Sequence, residues 1–402
     1  MSLSLQSYNM DLLNKLEGHA KLVTQAAILT DEDGVISISE DKTLRIWLKR
    51  ERGNYWPSVC HLLPFAPSCF DLSELKHKLF VGLENGTISE LTIANDYNRI
   101  DHKRYFSSHQ GKVTGLLYSD TCSLLLSIGR DKQLHWDDSD IGTRLGTCSL
   151  QSSCTALQFD SLSRHVFISG QGGQIVMLKL EQDNTYKHVT TLQGHIGSVR
   201  ALLWEPMSKW LFSAGSDNMI ICWDIGGRKG TAYALQGHRS RVTSLCFDDD
   251  TRTLLSGGED CSVVAWNMDA KRLEAPHWLD SDSCQRCNRP FFWNLKAMYE
   301  TMTIGLRQHH CRNCGKAICG DCSLHRITIP KLGFEFHVRV CDDCFPLSSE
   351  ASRRPLARFY RVPQHVTSMH FNNSKGTLLT SGYDRTITLY SLSCPSWSKS
   401  LD

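Results

Sequence analysis

The 402-residue chain lacks any apolar run of the ~20 residues that a membrane-spanning helix needs. It has almost no net charge: 44 Lys and Arg against 42 Asp and Glu leave +2. Broad affinity for nucleic acid rides on a basic surplus and is disfavoured here. The first ten residues carry no basic stretch ahead of an apolar one, so they do not read as a secretory signal. No phosphate loop, no Ser-His-Asp set and no metal site with an open position stands out, and the chain is expected not to be an enzyme. Cysteine, by contrast, is plentiful. There are 17, an odd count in a chain long enough for two or three domains, which argues against a secreted disulfide framework and for a reducing compartment.

Eight of the cysteines form four Cys-x-x-Cys pairs: Cys284/Cys287, Cys311/Cys314, Cys319/Cys322 and Cys341/Cys344. The other nine, from Cys60 to Cys394, have no framework spacing and read as small apolar core residues. Four pairs match the ligand demand of two tetrahedral Zn²⁺ ions, and so short a stretch depends on metal for its folding. Neighbouring pairs would make two zinc ribbons in series; alternate pairs would make a cross-brace. Only four residues separate Cys314 from Cys319, which favours the cross-brace. One ion then takes Cys284, Cys287, Cys319 and Cys322, and the other takes Cys311, Cys314, Cys341 and Cys344. With four thiolates each, both sites are structural. Around the second pair lies Arg307-Gln308-His309-His310-Cys311-Arg312, a cluster of donors and cations suited to an anion.

The rest of the chain repeats itself. Gly18-His19 precedes Asp41 and Trp47; Gly194-His195 precedes Asp217 and Trp223; Gly237-His238 precedes Asp260 and Trp266. Each unit has a Ser four residues before the Asp (Ser37, Ser213, Ser256), and His, Ser, Asp and Trp can form one buried hydrogen-bonded set. This is the WD-repeat signature, one propeller blade per ~40–45 residues. Trp47 to Trp136 and Trp136 to Trp223 are each about two units, and Trp223 to Trp266 is about one. Two blades without the signature are therefore expected around residues 82–88 and 170–175, each a strand, a Gly turn and a strand. The third unit, with His109 and Asp131, is one residue short before Trp136 and should be irregular.

A last unit, Thr380 to Tyr390, lies beyond the cysteine cluster, so the cluster interrupts the propeller. Residues 356–360 read as the fourth strand of blade six, displaced past the insertion, with Gln364-His365 opening blade seven. Residues 11–16 supply the missing outer strand of blade seven and close the ring. The expected fold is all-β: a seven-bladed WD-repeat propeller over residues 8–276, an inserted cross-brace zinc module over 277–347, and the end of the propeller over 354–394.

Trp278-Leu279-Asp280, Arg307 to Gly315 and Arg339-Val340-Cys341 resemble the three signatures of the FYVE zinc finger. With the interrupted propeller, the whole chain is similar to the WD-repeat and FYVE-domain-containing family. The resemblance implies binding of phosphatidylinositol 3-phosphate on early endosomes, a cytoplasmic peripheral protein, and an adaptor whose propeller holds protein partners. It assigns Arg312 and Arg339 to the 3-phosphate, Arg307 to the phosphate linking ring and glycerol, and His310, with His309 beside it, to the ring hydroxyls. Guanidinium forks suit a doubly charged phosphate. Asp280 takes the acidic position of the first signature, with Asp282 as the alternative. Ile304-Gly305-Leu306 matches a membrane-inserting turret.

The chain departs from the family pattern in two places. Gln308 stands where a second basic residue is usual, and the segment between Cys287 and Cys311 is longer and rich in apolar groups. Of these, Phe291, Phe292 and Trp293 read as local core. Nine Lys and Arg against seven acidic residues over 277–347 make the module only weakly basic, so recognition should rest on local geometry. A RING-type ubiquitin-ligase scaffold is the alternative; it usually has a His among the ligands and leaves the basic motif unexplained.

Overall fold

The structure, a computed structural model, describes residues 7–8 (backbone only), 10–30, 32–50, 53–226 and 232–392. These build seven four-stranded antiparallel blades. Blade one runs Val23–Leu29, Gly34–Ser39, Thr43–Lys49 and Tyr55–Leu62. The second strand of each blade is buried on both faces and is written without a polar alternation: Gly34–Ser39 and Leu124–Gly129 are buried at every position. The core is a ring of seven apolar clusters, one between each pair of neighbouring blades. Leu44 with Phe70 joins blades one and two, for example, and Val23 with Leu379 joins one and seven.

Closure follows the expected route. Asp11–Leu16 pairs antiparallel with Ile387–Ser391, so blade seven takes its outer strand from the other end of the chain. Ala357–Arg361 pairs with Ser262–Asn267 as the fourth strand of blade six, although some ninety residues of chain lie between them. Residues 393–394, the end of the last expected unit, and Cys394 lie outside the described residues.

The hydrogen-bonded set forms in blades one, five and six. In blade one, Trp47 Nε1–H donates to Ser37 Oγ (2.9 Å), and His19 spans Ser37 Oγ (2.9 Å) and Asp41 (3.0 Å). Every donor in this chain meets an acceptor only if His19 is neutral, with its proton on Nδ1. Burial lowers the His19 pKa, in keeping with that form. The sets on His195 and His238 repeat the distances to within about 0.2 Å.

Blade three is irregular for a definite reason. With one residue fewer after Asp131, Trp136 pairs with Leu126, the position Ile46 holds opposite Ile36. A one-residue change of register sends a side chain to the other face of a strand. Trp136 thus joins the core between blades three and four, and among the described residues its indole N–H has no partner. The Trp position is held by Asp137, paired with Arg144 at 2.7 Å. Blade seven departs too: the Gln364 amide, not His365, reaches Asp384, and His365 is exposed. In silent blade two the turn carries Gly86 at φ +91°, and a Cβ there would collide with the His109 carbonyl of the next blade.

Among the scattered cysteines Cys69, Cys148, Cys154 and Cys222 are buried as expected, whereas Cys60 is exposed. The edge strand of a blade and the blade's outer rim leave such positions in water. The cysteine-rich insertion has its own core, around Phe291, Ile318, Ile327, Val338 and Val340. It lies against blade five, where its strand Phe334–Arg339 meets the blade's outer strand Ala232–Gln236 at Gln236. Gly333, at φ +82°, is packed so closely on the Ala234 carbonyl that a Cβ would not fit. Glu335 is buried beside this contact and accepts the Leu356 N–H at 3.2 Å.

Candidate metal centres and anion pocket

Alternate cysteine pairs converge. The sulfur atoms of Cys284, Cys287, Cys319 and Cys322 all lie within 4.8 Å of one another, and so do those of Cys311, Cys314, Cys341 and Cys344. Cys287 and Cys319 are 3.8 Å apart, and Cys314 and Cys341 3.9 Å. A tetrahedron with Zn–S bonds of about 2.3 Å has edges of ~3.8 Å, whereas a disulfide would need about 2.05 Å. The spacing fits two zinc ions. Backbone N–H groups of Cys319 and Cys341 donate to Cys284 Sγ and Cys311 Sγ, both at 3.3 Å, as supporting bonds to metal thiolates do. Arg286 ties the first pair to the last through Asp342 (2.8 Å) and Asp343 (3.0 Å). Four thiolates close each ion to substrate, so the metals hold the fold. His109, Asp131 and His135 also converge, but His109 already spends its two ring nitrogens on Asp131 (2.9 Å) and Ser127 (3.0 Å) within blade three.

The two metal centres frame the basic motif. His309–His310 is a short strand paired with Ala317–Ile318, set between the ligand pairs. Trp278 stacks on His310 with centroids 4.8 Å apart and planes 12° from parallel. The Arg312 guanidinium lies 4.6 Å from the Trp278 ring centroid. Its backbone N–H donates to the Arg339 carbonyl (3.0 Å), so the two arginines are held together by main chain. Arg339 Nη1 donates to the carbonyl and hydroxyl of Ser323, each at 2.9 Å.

Electrostatics shows how crowded the cations are. Burial, then Arg326, Arg307 and Arg312, hold Arg339 below the usual guanidinium range. Burial, then Arg339, Arg307 and Arg326, hold the His309 imidazole below its usual value. Among the described residues no carboxylate forms an ion pair with any of these four arginines. His310 Nε2 is buried and has no hydrogen-bond partner among the described residues. Such orphans are rare and commonly mark a place where a ligand or water belongs.

Arg326 was not among the candidates from sequence. The strand Arg326–Ile329 pairs with Phe334–Arg339 and sets Arg326 directly opposite Arg339. Two apolar stretches flanking the Pro330–Gly333 turn were the available signal. Of the two acidic candidates, Asp282 accepts the Trp293 indole N–H at 3.0 Å, while Asp280 is exposed. Ile304 stands out in water, 88% exposed. Leu306, expected beside it in the turret, is half-buried: it packs on the finger's core and its backbone bridges to Phe291. Phe291 is core, as expected, but Phe292 and Trp293 are exposed, contrary to expectation. Gln308 is half-buried, its amide 3.5 Å from the Ser281 carbonyl.

Comparison with known proteins agrees with this geometry. The FYVE zinc finger model matches residues 277–350, and the WD domain, G-beta repeat model matches 10–47, 186–224, 230–267 and 355–391. WD repeat and FYVE domain-containing protein 2 of Homo sapiens is 52% identical over 381 residues, 95% of each chain. The chain belongs to the WD repeat and FYVE domain-containing family. Protein 1 of that family, also from Homo sapiens, is 48% identical over 96% of this chain and 94% of its own. Beyond the family, a 71-residue stretch is 44% identical to hepatocyte growth factor-regulated tyrosine kinase substrate of Drosophila melanogaster, covering 18% of this chain and 8% of that one. The WD40 β-propeller domain of Doa1 superposes with a TM-score of 0.62 at 15% identity, over 97% of this chain and 99% of that one, a likeness of fold alone. Among the described residues no helix is long and apolar enough to cross a membrane.

Proposed function

We propose that this family member is a non-enzymatic adaptor that binds phosphatidylinositol 3-phosphate at the cytoplasmic face of early endosomes through the finger and holds protein partners on the propeller. The finger is assigned to residues 277–347 and the propeller to 8–276 and 354–394. The observation that carries the reading is the His310 Nε2, without a hydrogen-bond partner, beside guanidiniums that no carboxylate neutralises among the described residues. The headgroup supplies both missing partners: the 3-phosphate monoester gives charge for Arg312 and Arg339, the phosphate linking ring and glycerol gives it for Arg307, and the ring hydroxyls give hydrogen-bond partners for the imidazole. Arg326 adds a fourth cation opposite Arg339. Asp280, exposed at the pocket's start, is the acidic residue assigned to ring hydroxyls. Ile304 is assigned to the bilayer interface, with Gly305 shaping its turn.

Vesicle flotation tests the proposal. Zinc-loaded protein should float with phosphatidylcholine vesicles carrying phosphatidylinositol 3-phosphate, and not with the same vesicles carrying phosphatidylinositol or its 4-phosphate. Equal flotation with all three would leave only charge attraction and sink the assignment.

A further inference from the structure

The segment that lengthens the finger between Cys287 and Cys311 is folded, and its apolar groups are displayed. Asn294 caps a helix, Leu295–Thr301, through the Ala297 N–H, and Met302 ends it in a left-handed conformation. Leu295 and Tyr299 fall at i and i+4 on one side of the helix, and Met302, its cap residue, follows directly. They are 71%, 83% and 88% exposed. Ala297 and Met298 point inward and are half-buried, while Lys296 and Glu300 pair with each other at 4.0 Å beside the stripe. Large apolar side chains this exposed, on a helix this short, contribute nothing to its stability.

The helix is fastened to the turret. Phe292 N–H donates to the Leu306 carbonyl at 3.2 Å, and Leu306 N–H to the Pro290 carbonyl at 2.9 Å. Gly305 sits directly on the Phe292 backbone, with the Met298 sulfur 2.9 Å from where its Cβ would lie. Thr303 N–H donates to the Met298 carbonyl at 3.2 Å. Ile304 lies two residues past the helix end at Met302 and directly before Gly305, whose backbone packs on that of Phe292. Trp293 is half-exposed with its indole N–H held by Asp282, an arrangement suited to the water–hydrocarbon boundary.

We propose that Phe292, Leu295, Tyr299 and Met302 form, with Ile304, one membrane-inserting face, so that the finger enters the bilayer interface on a helix as well as on its turret. The occupant is a lipid surface, for two reasons. Main-chain bonds tie the helix to the turn that carries Ile304, and three residues further on Arg307 begins a cation cluster complementary to anionic headgroups. This rests on the phosphoinositide reading above. Insertion scales with the apolar area buried, so a helix face should multiply the affinity that one isoleucine confers.

The test uses full-length, zinc-loaded protein, vesicles of phosphatidylcholine and phosphatidylserine with or without phosphatidylinositol 3-phosphate, and soluble inositol 1,3-bisphosphate. Leu295→Asp/Tyr299→Asp should lower affinity for the phosphoinositide vesicles by about tenfold or more while leaving soluble headgroup affinity unchanged. Lys296→Ala, on the same helix beside the stripe, should leave the apolar contribution intact. Vesicle affinity equal to wild type in the double variant, with loss confined to Ile304→Asp, would overturn the proposal and leave insertion to the turret. A parallel loss of soluble headgroup binding would also overturn it, by making the helix a prop of the pocket. So would a wild-type dimer in sedimentation velocity that the double variant abolishes, since the stripe would then face a second copy. If wild type fails to bind inositol 1,3-bisphosphate at all, the phosphoinositide reading fails, and vesicle binding by the helix is read separately on the vesicles lacking it.

Discussion

Replacing Arg312 by Ala should separate binding from folding. The side chain lies over Trp278 at 4.6 Å and repels Arg339, and among the described residues it has no carboxylate partner. Its loss from the ligand-free protein removes a cation–π contact of about 0.5–1 kcal/mol but also relieves like-charge crowding, and the two effects oppose each other. The melting temperature and two-zinc content should therefore stay near wild type. Loss of one charged partner of a desolvated pair costs about 2–5 kcal/mol, roughly 30- to 5,000-fold in affinity. Titration calorimetry with inositol 1,3-bisphosphate reads this directly. Arg312→Lys should fall between, keeping the charge and losing the planar fork. Unchanged affinity would refute the pocket. A loss of affinity accompanied by loss of one zinc would show that Arg312 supports Cys311 and does not grip phosphate.

The remaining predictions concern the frame. Elemental analysis should give two zinc per chain, and Cys319→Ser should unfold the finger while the propeller's melting transition persists, because the finger has its own core. Removing the chain through Leu16 should lower the whole propeller's melting temperature by opening blade seven; an unchanged transition would deny the closure. Trp47→Phe should cost about 1–3 kcal/mol by orphaning a buried hydroxyl hydrogen bond, and Trp136→Phe should be judged by packing alone, since its N–H bonds to nothing; equal urea midpoints shifts of hydrogen-bond origin would contradict this. Burial pushes the Glu335 carboxyl up to about 7 despite Arg272. A raised carboxyl favours the docked fold when protonated. That contribution is full below its unfolded value near ~4.3 and is lost as pH rises toward 7. Thermal scans from pH 5 to 8 should show falling stability, and Glu335→Gln should flatten the profile.

Local spacing determined much of this protein. Cys-x-x-Cys geometry and the short Cys314–Cys319 gap constrain which thiols can share an ion, because a few residues of backbone have little freedom. The blade count followed from a repeat whose unit is a single supersecondary element, and the ring closure followed from one missing strand. What depended on register or on distant surfaces was decided only by the tertiary structure. One residue fewer after Asp131 turned Trp136 to the other face, an outcome set by pairing with Leu126. Arg326 joined the pocket because a hairpin set it opposite Arg339. Leu306 packed half-buried on the finger's core and Phe292 stayed in water because the main chain of residues 290–292 runs beside residue 306. Gly333 and Glu335 dock the finger on blade five across a gap of about a hundred residues in sequence. Burial of that kind is a property of two surfaces meeting, and no periodicity within either segment encodes it.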